Sequence, residues 1–402
     1  MVRYRDAGRA RNAMDTPRAI ISHLLARPAS LAELGAATGV SLPTLRRAVA
    51  DLQRARWVRI VGRAEPTGGR PANLFGIDAV RHAVVGVHLE HPGMRLVATD
   101  LVGEPLDEFV PEGLADLEPD AVHTHVLAYL ERVRTVFPGR RLLGVGLASP
   151  GFIDAATGTV VAISRVPSWH HLPLPQRLSE ASGLSVTIGN DVDALAALEF
   201  GANGDARSYA YLGLVEGVKF SLFLDGRPYV GPFGNAGLVD LRLLAAGAAD
   251  DARGLLTVHG LPQRYLARAG ASADPRVLAA AEGHERFLAV LRAGEAGDAH
   301  AAELAAVMTG VLAAQVASLV LLLQPELLVL GGALAGAPER VLADLEGAAR
   351  RQLPTLLDNA LRVRRARTVS PSAAALGAAR VFVRRFLAGD GTSLSVLGDP
   401  RA

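Results

Sequence analysis

The 402-residue sequence predicts an α/β protein: a winged helix-turn-helix head at the N-terminus, then two α/β lobes that enclose a cleft. Three observations predict it. Ser41 to Arg56 carries Leu45, Val49 and Leu52 at helical spacing and ends in a β-prone run, with a short helix and Gly39 before it. From His82 onward, hairpin-type strands give way to alternating helix and strand, and this order is given twice. Charge is also divided unevenly. Through residue 77 there are thirteen Arg against five Asp plus Glu, a net of about +8, whereas the whole chain carries +2, so the rest carries about −6.

In the head, residues 17–27 predict a first helix with Ile20, Ile21, Leu24 and Leu25 inward, and residues 31–39 a second. The third helix begins at Ser41, a good N-cap residue, with Pro43 in the first turn, where a missing backbone donor costs little. Thr44, Arg46 and Arg47 point outward near its N-terminal end, where a recognition helix meets base edges and phosphates. The strand at 57–61 and the stretch at 62–77 predict a hairpin with a basic tip. Arg63, Gly69 and Arg70 then sit in a wing suited to a narrow minor groove. A surface amphipathic helix of an enzyme would share the pattern of the third helix alone; the wing and the charge separate the two readings.

In the body, HAVVGVHLE, MRLVATDL and PLDEFV predict three strands, and residues 120–137 a helix. RLLGVGLASPGFID, residues 141–154, is a buried strand breaking into a Pro-Gly loop, and PLPQRLSEASG is helical. LSVTIGN is a strand, and DVDALAALEFG a helix starting at its end. Residues 208–214 and 218–224 pair as a hairpin, helices dominate 275–323, and ELLVLGG, a helix at 338–352, a strand near 361–366 and a last helix from Ser372 complete the chain.

Composition excludes several chemistries. Without cysteine there is no disulfide, thiolate metal site or thiol nucleophile. The Arg-rich start lacks the apolar core of a secretory signal and reads as a mobile arm. Leu304 to Leu323 carries no charge over twenty residues, but its Thr309, Gly310, Gln315 and Ser318 and the strand that follows predict a buried core helix rather than a membrane span.

VGLASPGFID, TIGNDVDALAALEFG, DGRPYVGPFGNAG and PELLVLGGALAG, in that order behind a winged head, resemble the ROK family of repressors and sugar kinases over about residues 17–387. The resemblance implies a two-lobed actin-like (ribonuclease H-like) body, and, with a DNA-binding head, a bound sugar or sugar phosphate that shifts affinity for an operator. It also locates departures. The glycine-rich phosphate turn that kinases of the family share reads HLEHP at 88–92, and their second phosphate loop reads VEGVK at 215–219, with Glu216 where an anion belongs. The polar sugar-facing motif reads GLVDL at 237–241, with Leu238 and Leu241, and the cysteine-rich zinc loop is missing.

Asn190, at the strand end, and Asp191, at the position of the kinase base, are candidate ligand anchors, with capping of the following helix an equal reading. Gly151 and Trp169 complete the candidate set. Trp169 lies in a Pro-rich stretch read as a loop, where it either stacks on a sugar face or simply packs. His123 with His125, and Asp191 with Asp193, are too isolated to argue for a metal.

The sequence thus predicts a flexible basic arm (1–16), a winged helix-turn-helix DNA-binding domain (17–77), a sensor and dimerisation body (78–390) and a disordered tail (391–402). The expected function is a cytoplasmic transcriptional regulator, in repressor form. It has no catalytic residues, cofactor or metal, and no membrane association; its partners are a double-stranded operator, a sugar-like effector, and a second copy in a homodimer or dimer of dimers. The rivals are an effector-blind DNA-binding dimer and a sugar kinase with an appended head.

Overall fold

The computed structural model describes residues 16–65, 71–90, 93–112, 118–154, 157–163, 166–200, 206–239 and 254–389. The arm before Thr16, Gly69 and Arg70 at the wing tip, His91 and Pro92, Leu241 and the tail lie outside the described residues.

Three helices, α1 (Thr16–Ala26), α2 (Leu31–Thr38) and α3 (Leu42–Arg54), precede an antiparallel hairpin of β1 (Val58–Arg63) and β2 (Asn73–Ile77). The start of α2 is fixed by a capping box: the Ser30 hydroxyl accepts from the Glu33 amide at 3.3 Å, and the Glu33 carboxylate accepts from the Ser30 amide at 2.8 Å. Its end is fixed by Gly39, whose φ of 69° is cheap only for glycine and turns the chain into α3. Phe75 of β2 exchanges two backbone hydrogen bonds of 2.9 Å with Ala29, tying the wing to the α1–α2 connection. This is the layout of a winged helix-turn-helix.

The first lobe comprises β3 (His82–Glu90), β4 (Gly93–Thr99), β5 (Pro105–Phe109), α4 (Pro119–Val136) and β6 (Arg141–Ser149), then a small sheet of β7 (Phe152–Asp154), β8 (Thr159–Ile163) and β9 (Val166–Leu172). It closes with α5 (Leu174–Ser182) and β10 (Ser185–Asn190), and its main sheet runs β10-β6-β3-β4-β5. Helix α6 (Asp191–Phe200) leads into the second lobe: β11 (Tyr209–Leu214), β12 (Val218–Leu224), β13 (Arg227–Tyr229), α7 (Gly260–Ala269), α8 (Pro275–Ala279), α9 (His284–Glu295) and α10 (Ala299–Leu323). It continues with β14 (Leu327–Gly332), α11 (Glu339–Arg350), α12 (Thr355–Ala360) and β15 (Arg362–Arg365), and its sheet runs β13-β12-β11-β14-β15. In each lobe the first strand pairs antiparallel with the second and parallel with the fourth, so the two sheets repeat one topology.

The last helix, α13 (Ala373–Ala388), returns to the first lobe and packs on β3, β6 and α6. Glycines permit this approach. A Cβ on Gly86 would lie 1.9 Å from the Ala375 carbonyl oxygen, and one on Gly146 would lie 2.1 Å from that of Ala378. Further along, the C-terminal half of α13 carries Phe382, Val383, Phe386 and Leu387 into one core with Ile20, Leu24, Leu45 and Trp57 of the head. Head and body are therefore joined through continuous apolar packing.

Helix α10 is long and apolar enough to cross a membrane, but Leu304, Met308, Leu312, Val316 and Val320 are buried in the second lobe's core. Residues 168–170, read from the sequence as a loop, belong to strand β9, which pairs with β8.

Candidate functional site: a basic helix face and an interlobe cleft

On α3, burial of Leu45, Val49 and Leu52 leaves Ser41, Pro43, Thr44, Arg46 and Arg47 exposed. Ser41 holds the N-cap position, yet its hydroxyl shares a 2.9 Å hydrogen bond with the Thr44 hydroxyl rather than accepting from the helix backbone. The first-turn amides of α3 therefore lack a side-chain cap and, with the helix dipole, favour an anion. Arg46 and Arg47 on α3, and Arg59 and Arg63 on β1, have no carboxylate partner among the described residues, whereas Arg54 is held by Asp51. Unpaired exposed guanidiniums on a helix and its adjoining wing strand are suited to phosphate and base-edge contacts.

The cleft is built at the ends of β6 and β10, which lie parallel with Ser149 opposite Asn190. Asn190 Oδ1 and Asp191 Oδ1 both accept from the Val192 amide, at 2.9 and 2.8 Å, so both residues cap α6. Each keeps further hydrogen-bonding capacity. A cavity of about 200 Å³ is lined by Pro150, Gly151, Asn190, Asp191, Lys219 and Leu238. Three of the four nominated ligand residues thus meet at one place. Gly151 also has a structural reason: its φ is 84°, and a Cβ there would lie 2.2 Å from the Ala162 carbonyl oxygen.

Trp169 does not join them. It is 0% exposed and packs in the first lobe's core with Leu174, Leu178 and Ile188, so it offers no face to a ligand. The correction has a plain cause: alternation along β9 turns Trp169 inward while Ser168 and His170 face outward.

The replaced phosphate turns hold charge pairs that sequence reading did not foresee. Lys219, 2% exposed, pairs its ammonium with Asp193 of α6. Glu216 Oε1 lies 3.0 Å from His259 Nε2, and its other carboxylate oxygen is buried with no hydrogen-bond partner. From the first lobe, His88 Nδ1 is 3.5 Å from Glu90 and Nε2 is 4.0 Å from Asp191. Burial alone would lower the His88 pKa, but Asp191 and Glu90 outweigh it and raise the value. Asp191 thus faces a histidine that favours its cationic form. His88 and Glu216 also line a larger cleft of about 850 Å³ between the lobes. Among the described residues no cluster of three or more His, Asp or Glu is arranged to hold a metal ion. The signals for these pairs, a lysine and a glutamate inside a turn, are visible in VEGVK, but their partners are not local.

Fold and site together define a two-lobed, actin-like α/β body behind a winged-helix head. Residues 119–240 match the ROK family. A transcriptional regulator of Mycobacterium tuberculosis is 28% identical over 326 residues, covering 74% of this chain and 70% of the relative. The xylose repressor of Bacillus subtilis is 25% identical over 219 residues, covering 52% of this chain and 55% of the relative. Among solved structures, a ROK family transcriptional regulator described as a homolog of the E. coli MLC protein aligns with a TM-score of 0.76 at 18% identity, over 94% of this chain and 97% of that one. The ROK hexokinase from Thermus thermophilus aligns with a TM-score of 0.57 at 26% identity, over 74% and 97%.

Proposed function

We propose that this protein is a cytoplasmic DNA-binding transcriptional regulator, in repressor form, that reads an operator as a dimer through α3 and the wing. The observation that carries the reading is the exposed, unpaired Arg46 and Arg47 beside the uncapped N-terminal turn of α3. The names of the relatives support it. In the body, Asn190, Asp191 and Gly151 are the anchors for a sugar-like effector, with Leu238 favouring an apolar or deoxygenated ligand edge, since a hydroxyl facing it would lose its hydrogen bond. Phosphoryl transfer is disfavoured. Glu216 places a carboxylate in one phosphate turn, and the lysine of that turn is occupied by Asp193.

The experiment is duplex binding by the full chain. Arg47→Ala is expected to weaken operator binding by about 1–3 kcal/mol if it reads a base, or to reduce the salt dependence if it holds a phosphate. Unchanged affinity and salt slope in a folded variant would remove α3 from the recognition surface.

A further inference from the structure

Where the head meets the body, a cavity of about 370 Å³ opens between α1, the turn after β4, the end of α6 and α13. Its lining is largely apolar, with Leu25, Leu101, Phe200 and Val383, but two guanidiniums enter it, Arg380 and Arg384, four residues apart on α13. Neither has a carboxylate partner among the described residues. Arg380 donates only to the Leu198 carbonyl at a long 3.4 Å, and Arg384 lies over the Phe200 ring at 4.6 Å. Asp100 also borders the cavity, but its Oδ1 is taken by the Val102 and Glu104 amides of its own turn, at 2.9 and 3.0 Å.

Other partly buried arginines of this fold are answered by carboxylates or, as at Arg140 and Arg385, by backbone carbonyls at 2.7 and 3.1 Å. Arg364 meets Glu199 at 2.9 Å, and Arg350 meets Glu346 and Asp358 at 2.7 and 2.9 Å. At the junction two like charges are instead desolvated side by side. Burial, and then the neighbouring guanidinium, push Arg384 down to about 10. Such an arrangement is costly without a counterion, and a fork of donors above an apolar wall is what a carboxylate or phosphate on an organic body requires.

We propose that this junction cavity is a binding site for a small organic anion, its carboxylate or phosphate held by Arg380 and Arg384 and its apolar part seated against Leu25, Leu101 and Val383. It is separate from the cavity at Asn190 and Asp191. Because Leu25 belongs to the head, occupancy that differs between two head arrangements changes DNA affinity. That coupling rests on the DNA-binding reading, whereas the binding itself does not.

The test is calorimetry and thermal melting of the full chain with octanoate, octyl phosphate and, as a neutral control, octanol. Saturable binding of octanoate or octyl phosphate with a raised melting temperature, and none with octanol, is expected; the tighter of the two identifies the anionic group. Arg380→Gln and Arg384→Gln should each weaken binding roughly tenfold or more, since each removes a charged donor. Both should leave the melting temperature of the unliganded protein unchanged or raise it, because repulsion is relieved. Octanol binding as tightly as the anions, no binding by either anion, or variants that bind as wild type would overturn the proposal. So would a fall in the unliganded melting temperature of both variants, which would make the guanidiniums structural. Protection that depends on these arginines only when duplex DNA is added would overturn it in favour of a backbone phosphate contact.

Discussion

Trp57→Ala is expected to lower stability by about 3–5 kcal/mol, the range for truncating a fully buried aromatic side chain. Trp57 is 1% exposed at the junction of head and body. Its ring stacks on His82 of β3 with centroids 4.1 Å apart and lies 6.1 Å from Phe386 of α13. Removing it opens a cavity in the core that joins Ile20, Leu24 and Leu45 to Phe382 and Phe386, so the head loses its seat on the body. Urea denaturation of the full chain measures the loss. A change under about 1 kcal/mol would mean that the junction relaxes around the gap and that head and body are only loosely joined.

The second large effect is a pH dependence set by His82. Burial first, then the charges of Arg141 and Arg81, lower its pKa from 6.5 to about 4. The sign follows from proton uptake: between these values the unfolded chain binds a proton that the folded protein excludes, so stability rises with pH across this window. As pH falls from about 6.5 towards 4, the cost grows to about 3 kcal/mol, at 1.36 kcal/mol per pKa unit. His82 is only 4% exposed and its Nδ1 has no hydrogen-bond partner, so solvent does little to relieve the charge. His88 acts in the opposite sense, because its raised pKa lends stability at low pH that is lost as pH rises through the folded value. The check is a comparison of wild type with His82→Phe, which keeps a ring against Trp57. The variant should show a flatter fall in stability between pH 6.5 and 4; an equally steep fall would assign the acid sensitivity to other groups.

Periodic features were legible in the sequence. Leu45, Val49 and Leu52 mark the inward face of α3, and the alternation of strand and helix yields both lobes and places Asn190 and Asp191 at a strand end. Features that depend on distant partners were not. Prolines around 167–175 mask β9, whose strand character comes from pairing with β8, and with it the burial of Trp169. Lys219 finds Asp193 from another element, and Glu216 finds His259 forty-three residues away. The seat of the head depends on two successive stretches of one helix. Phe382 and Phe386 of α13 share a core with Trp57 across more than three hundred residues of sequence, while Ala375 and Ala378, two turns earlier, press against Gly86 and Gly146. A spacing rule confined to one segment registers an apolar helix there and nothing more.

The proposed function stands or falls with DNA reading by the head. Its most direct measurement is selection of bound duplexes from a random-sequence pool by the full-length protein, run beside the Arg46→Ala/Arg47→Ala variant. The prediction is enrichment of an inverted repeat, two half-sites related by the two-fold axis of a dimer, with the enrichment lost in the variant. Failure to enrich any sequence, together with ATP-dependent phosphorylation of a sugar by the same preparation, would contradict it and make the body an enzyme.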